Sequence, residues 1–147
     1  MRLTTLFLLL LVGLGGCGVE ANSSHGFRLP DGDVEAGRAV FTQQRCVACH
    51  TVEGTEFSPA QAGPALDIPL GGKVLRVRTY GELVTAVINP SHDLAKSYLE
   101  QGASADDESP MADHNSTMTV QELIDLVAFL QSAYEEYLPD DYEPYFP

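Results

Sequence analysis

Two cysteines and a histidine stand within five residues, Cys46-Val47-Ala48-Cys49-His50. Thiols and an imidazole at that spacing suit three kinds of chemistry: coordinating a metal ion, exchanging a disulfide, or carrying a haem. Each makes a different demand on the rest of the chain, so the other residues discriminate among them.

A structural zinc site takes four ligands, usually as two pairs. The remaining histidines, His25, His92 and His114, form no second pair at knuckle or helix spacing. A thioredoxin-like redox motif follows a strand in an alternating strand–helix pattern. No segment alternates at period two for long enough to supply one. C-x-x-C-H, in contrast, is the attachment signature of a c-type haem. Its two thiols add to the vinyl groups along one edge of the porphyrin, and the adjacent imidazole becomes the proximal iron ligand. Cys46 and Cys49 are thereby assigned to the thioethers and His50 to the iron.

The amino terminus bears on the same choice. Residues 1–17 read MRLTTLFLLLLVGLGGC, with one Arg, an apolar run, small residues and a Cys. The run is short for a finished membrane span and has the form of a secretory signal. Leu14-Gly15-Gly16-Cys17 is similar to a bacterial lipobox, whose Cys becomes the lipidated first residue. The alternatives are an ordinary signal peptide or an uncleaved anchor, with Cys17 incidental. A lipidated Cys17 resolves the odd count of three cysteines into one anchor and one pair. Export puts that pair in an oxidising compartment, here expected to be the periplasmic face of a bacterial membrane.

The 147 residues carry 21 acidic and 8 basic side chains, a formal charge of −13. Phosphate binding needs a basic face, so a nucleic-acid partner is excluded. Attraction to an anionic membrane surface is excluded for the same reason, which leaves the lipid as the means of attachment. The acidity serves solubility, or it steers the domain toward redox partner proteins with a basic docking surface.

Four segments organise the chain: a lipoprotein signal peptide over 1–16, a tether over 17–32, one domain over 33–138, and an acidic Tyr/Pro-rich tail over 139–147. Asp33 is a good N-cap for a first helix reaching the motif, with Val34, Gly37, Val40 and Phe41 on one face. Residues 51–78 are rich in Gly and Pro and read as a long ordered loop, a length that usually has a functional reason. Thr79 and Glu82 make a capping box for a second helix, which Asn89-Pro90 stops. A further loop spans roughly 91–118. Thr119 and Glu122 then open the clearest helix, striped by Leu123, Leu126, Val127, Leu130 and Tyr134.

From about Asp33 to Leu138 the chain resembles a class I, single-haem cytochrome c. Gly37 and Phe41 match the small and aromatic residues by which that family packs its first helix on its last, and Leu126, Phe129 and Leu130 match the positions facing them. Gly63-Pro64-Ala65-Leu66 resembles the family's GPxL segment, in which the Pro carbonyl accepts a hydrogen bond from the proximal imidazole. A bond of that kind orients the ring and tunes the iron. The resemblance implies an all-α fold, three to five helices with long loops wrapped around one covalently bound haem c. One departure stands out: four residues separate Phe41 from Cys46, one more than usual. The first helix is expected to bulge or shift register there. The loop Asp67 to Arg78 matches nothing in the family.

The sixth iron ligand separates the possible functions. A thioether favours reduced iron and closes it to outside ligands, whereas an open position admits gas binding or catalysis. Met111 lies eight residues before the cap Thr119 and fifteen before Leu126, and resembles the family's ligand methionine in that spacing. Its loop, Ser109-Pro110-Met111, is polar and turn-rich. Met118 precedes the cap directly and reads equally as a staple packed against the helix. His92, His114 and an open site remain as alternatives. Arg76, Arg78 and Tyr80 are placed to donate to haem propionates, or form a plain exposed basic strip.

These features predict a non-enzymatic electron carrier, ligated by His50 and Met111 and tethered by lipid through Cys17. A haem subunit of a larger oxidoreductase complex is the second expectation. A sensor with open iron is the third.

Overall fold

Three capped helices frame the domain in the computed structural model, which describes residues 24–57, 66–102 and 108–138. Helix α1 (Val34–Gln43) starts at Asp33, whose side chain accepts from the Ala36 backbone N–H at 2.9 Å. Helix α2 (Tyr80–Ile88) starts at Thr79 with a complete capping box. Thr79 Oγ1 accepts the Glu82 N–H at 3.2 Å, and the Glu82 carboxylate accepts the Thr79 N–H at 2.7 Å. A four-residue helix, α3 (Lys96–Leu99), follows in the loop. Helix α4 (Val120–Ser132) repeats the box with Thr119 and Glu122. Such caps satisfy N–H groups that no carbonyl inside the helix can reach, so the helix starts are fixed by local chemistry.

Arg76 strengthens the second box, its guanidinium donating to both Glu82 oxygens at 2.7 and 2.8 Å. That bond, first of all, and the Thr79 N–H bring the Glu82 carboxyl down from its ordinary 4.5 to about 2. A carboxylate held low stabilises the fold fully above pH 4.5, and the contribution fades as pH falls toward 2. The pair is largely exposed, so solvent screening keeps its contribution small. Glu82→Gln is therefore expected to melt a few degrees lower at neutral pH and to converge with wild type near pH 2. Circular dichroism melts across that range check this, and parallel curves at every pH would contradict it.

α1 and α4 cross at Gly37. A β-carbon there would overlap the Asp125 carbonyl oxygen and lie 2.8 Å from the Phe129 β-carbon. The two backbones thus touch, and the aromatic rings beside the crossing fill the space around it. Phe41 sits 5.6 Å from Phe129 and stacks on Phe57 at 5.3 Å, between ring centroids. Phe41 and Leu126 are each 1% exposed. Burial on that scale contributes roughly 1.5–3 kcal/mol per large side chain. Val40, Val127 and Leu130 extend the core from these helices, and Leu83, Val84 and Val87 bring α2 onto it. Two sequence expectations are adjusted. Val34 is 40% exposed, because the first turn of α1 overhangs the core rather than facing it. Tyr134 lies beyond the end of α4, in a strand.

Asp125 is a buried carboxylate in this crossing. It accepts the Asp33 backbone N–H at 2.9 Å and the Gln121 side-chain amide at 3.0 Å, tying the start of α1 to α4. Packing begins ahead of α1, with Leu29 against the core. Nearby, the Tyr80 hydroxyl donates to the Phe27 carbonyl at 2.7 Å.

The 51–78 stretch is ordered in part by short strands. β1 (His50–Val52) runs parallel to β2 (Ile68–Leu70), with His50 opposite Ile68. β3 (Gly72–Val74) runs parallel to β4 (Tyr134–Glu136), just past α4. Between β2 and β3 the chain turns through Gly71 and Gly72 at φ 81° and 80°, a region closed to most side chains. Gly71 is also crowded, since a β-carbon there would come 2.8 Å from the Ala133 carbonyl oxygen. The extra residue before Cys46 is absorbed without a bulge. α1 is regular to Gln43, and Arg45 takes up the slack in the left-handed region at φ 61°. No helix among the described residues is long and apolar enough to cross a membrane.

Candidate haem site

The left-handed Arg45 opens a single 3-10 turn, Cys46–Ala48, closed by Ala48 N–H to Arg45 O at 2.9 Å and Cys49 N–H to Cys46 O at 3.1 Å. Val47 anchors the turn in the core at 7% exposure. Cys46 packs against that core beside it. Both thiols are free and partly accessible. Burial pushes the Cys46 thiol up to about 11, and a negative Cys49 nearby would add to this. At neutral pH it is held as the protonated thiol.

His50 follows as the first residue of β1, with its ring beside Phe41 at 6.5 Å between centroids. Its Nδ1 is 3.0 Å from the Ile68 carbonyl oxygen. A carbonyl only accepts, so Nδ1 carries the hydrogen and the neutral ring keeps its lone pair on Nε2. Burial lowers the imidazole pKa, against an opposing pull from the Ile68 carbonyl and the Asp67 charge. Neutral, oriented and with Nε2 free, it is a competent metal ligand. The strand pair holds its acceptor in place. Ile68 N–H donates to Cys49 O at 2.8 Å, and Thr51 Oγ1 donates to the Asp67 carboxylate at 2.9 Å.

Pro64, the expected acceptor for this ring, lies outside the described residues, as does Cys17. The carbonyl found on Nδ1 is that of Ile68, in the loop that matched nothing. Met111 and Met118 are both half-buried and both pack against the core that Cys46 joins. His92 is exposed and His114 half-buried. Arg76 and Tyr80 are already engaged, the first with Glu82 and the second with the Phe27 carbonyl. No group of three or more His, Cys, Asp and Glu side chains that could hold a metal ion forms among the described residues, so a zinc knuckle has no further ligands there. Ile68, Asp125 and Phe57 were missed by sequence reasoning. Only Phe57, an aromatic between the motif and the GPxL segment, carried a signal that could have flagged it.

Helices crossing at a glycine, two thiols on one turn and a neutral imidazole beside them fit the class of domains that take up a haem through thioethers. The family comparison makes this specific. Residues 34–133 match the model of the Cytochrome c family, and the chain belongs to that family. Neither a curated protein nor a solved structure matches it. Membership implies covalent haem c and haem-based electron transfer. The residues fit that group: the free thiols of Cys46 and Cys49 would hold it, and His50, fixed through Nδ1, would offer Nε2 to its iron.

Proposed function

We propose that this protein is an exported, lipid-tethered c-type cytochrome that passes single electrons between protein partners. The carrying observation is the His50 ring, half-buried, neutral and fixed through Nδ1 so that Nε2 is free for iron. When bound, the haem would supply a one-electron iron couple. Cys46 and Cys49 fix its position covalently, so neither oxidation state is lost to solvent. Phe41 sets an apolar ring beside His50, with Phe57 stacked on Phe41, and burial disfavours protonation of the imidazole.

Met111 is the proposed sixth ligand. Support comes from its spacing to α4 and from its half-buried position against the core. Its thioether favours the reduced iron and closes the sixth position to outside ligands. Cys17, at the end of the apolar leader, is the proposed lipid anchor, with the chain at the periplasmic face of a membrane. The net charge of −13 suits partners with a basic docking surface.

One preparation tests both halves of this reading. Full-length holoprotein is expected in the membrane fraction with the leader removed and acyl groups on Cys17 in its mass spectrum, whereas Cys17→Ser is expected to carry no acyl groups and to keep its leader. Anaerobic titration of either form is expected to consume one electron per chain along one set of isosbestic points. Uptake of more than one electron would contradict a single-haem carrier, and a wild-type chain without acyl groups on Cys17 would contradict the lipid anchor.

A further inference from the structure

We infer that Ser91 and Asn115 are positioning residues that pin the Met111 loop to the end of α2; this rests on Met111 being the sixth ligand. The loop returns to α2 at two points. Ser109 N–H donates to Ser91 Oγ at 3.1 Å, and Asn115 Nδ2 donates to the Ile88 carbonyl oxygen at 2.9 Å. Met111 lies between the two pins, its own N–H bonded to Ser109 Oγ at 3.2 Å. Asn115 is itself aimed by a turn in which its N–H donates to Asp113 Oδ1 at 2.8 Å.

The second pin has a physical cause in the sequence of α2. The last carbonyls of a helix need donors from outside. Asn89-Pro90 ends α2, Pro90 has no N–H to offer, and the His92 N–H goes to Asn89 O. The Ile88 carbonyl is left for another donor, and the Asn115 amide supplies it. The loop is thereby fastened to a helix whose Leu83, Val84 and Val87 are buried in the core. A thioether is a weak ligand to oxidised iron. Holding its loop at both ends lowers the entropy lost on ligation and so strengthens it against competitors.

The test uses oxidised holoprotein and imidazole as the competing ligand, followed by loss of the far-red band of sulfur-ligated haem. Asn115→Ala is expected to bind imidazole about 3- to 10-fold more tightly, the worth of one net hydrogen bond. Asn115→Asp, equal in size but without the donor, is expected to do the same, and Ser91→Ala to add to either. Both Asn115 variants keep the band when imidazole is absent. A merely structural role would shift melting and leave imidazole affinity alone. Unchanged affinity in both Asn115 variants, with a band that Met111→Ala abolishes, overturns the pinning and spares the ligand assignment. A band that survives Met111→Ala overturns both.

Discussion

Gly37→Ala is expected to destabilise the holoprotein by at least about 4 kcal/mol, a loss comparable with the whole stability of a small domain. The cause is steric and lies in backbone, which cannot step aside as a side chain can. The new methyl would occupy the Asp125 carbonyl oxygen and press on the Phe129 β-carbon at 2.8 Å. Relief requires α1 and α4 to separate. That strips Phe41 and Phe129 of their ring contact and breaks the Asp33–Asp125 bond that closes the crossing. Because His50 lies against Phe41, the haem pocket opens in the same movement. Gly81→Ala is the control. Its β-carbon would find its nearest atom at 3.9 Å inside a helix, so it is expected to be neutral or to stabilise by about 0.5–1 kcal/mol. Urea unfolding checks both, and a Gly37→Ala midpoint near that of wild type would contradict the crossing.

Cys46→Ser combined with Cys49→Ser is expected to abolish covalent attachment. A hydroxyl does not add to a vinyl group as a thiol does, so no thioether forms on either side of the turn. Acid–organic extraction, which removes haem held by ligation alone, then leaves the chain colourless, while wild type keeps its colour. Each single substitution leaves one thioether and retains colour, with a reduced-haem band shifted toward that of a haem with one unsaturated vinyl. The two positions are not equivalent in surroundings. Cys46 is the one packed against the core, beside the buried Val47, so its replacement by Ser sets a hydroxyl against apolar neighbours and is expected to cost more stability than the same change at Cys49. Mass spectrometry of the denatured chains gives the same readout independently. Colour that survives extraction in the double variant would refute attachment at this motif.

Much of this was legible from residue types. The Thr79–Glu82 and Thr119–Glu122 boxes start their helices because the capping chemistry is complete within four residues. Gly37, Phe41 and Phe129 were readable as a crossing through the resemblance to the cytochrome c family, and the close approach of the backbones at Gly37 gives the physical reason. Cys46, Cys49 and His50 were legible because covalent chemistry demands those side chains at that spacing. What was hidden depends on backbone or on tertiary partners. The carbonyl on His50 Nδ1 belongs to Ile68, and a carbonyl carries no residue signature. Asp125 reads as a solvated helix acid until the Asp33 N–H is brought to it across 92 residues. The three-residue strands and the four-residue α3 are too short to show a period. Arg45 gives no hint of its left-handed backbone, since glycine or asparagine is the usual signal there.

The central claim is a haem ligated by His50 and Met111, and the optical spectrum of the oxidised holoprotein tests it most directly. A weak far-red band, present in wild type and in Met118→Ala and lost in Met111→Ala, is the expected result. A high-spin wild-type spectrum that shifts on adding cyanide would contradict it, because the sixth position would then be open and the protein would not be a simple carrier.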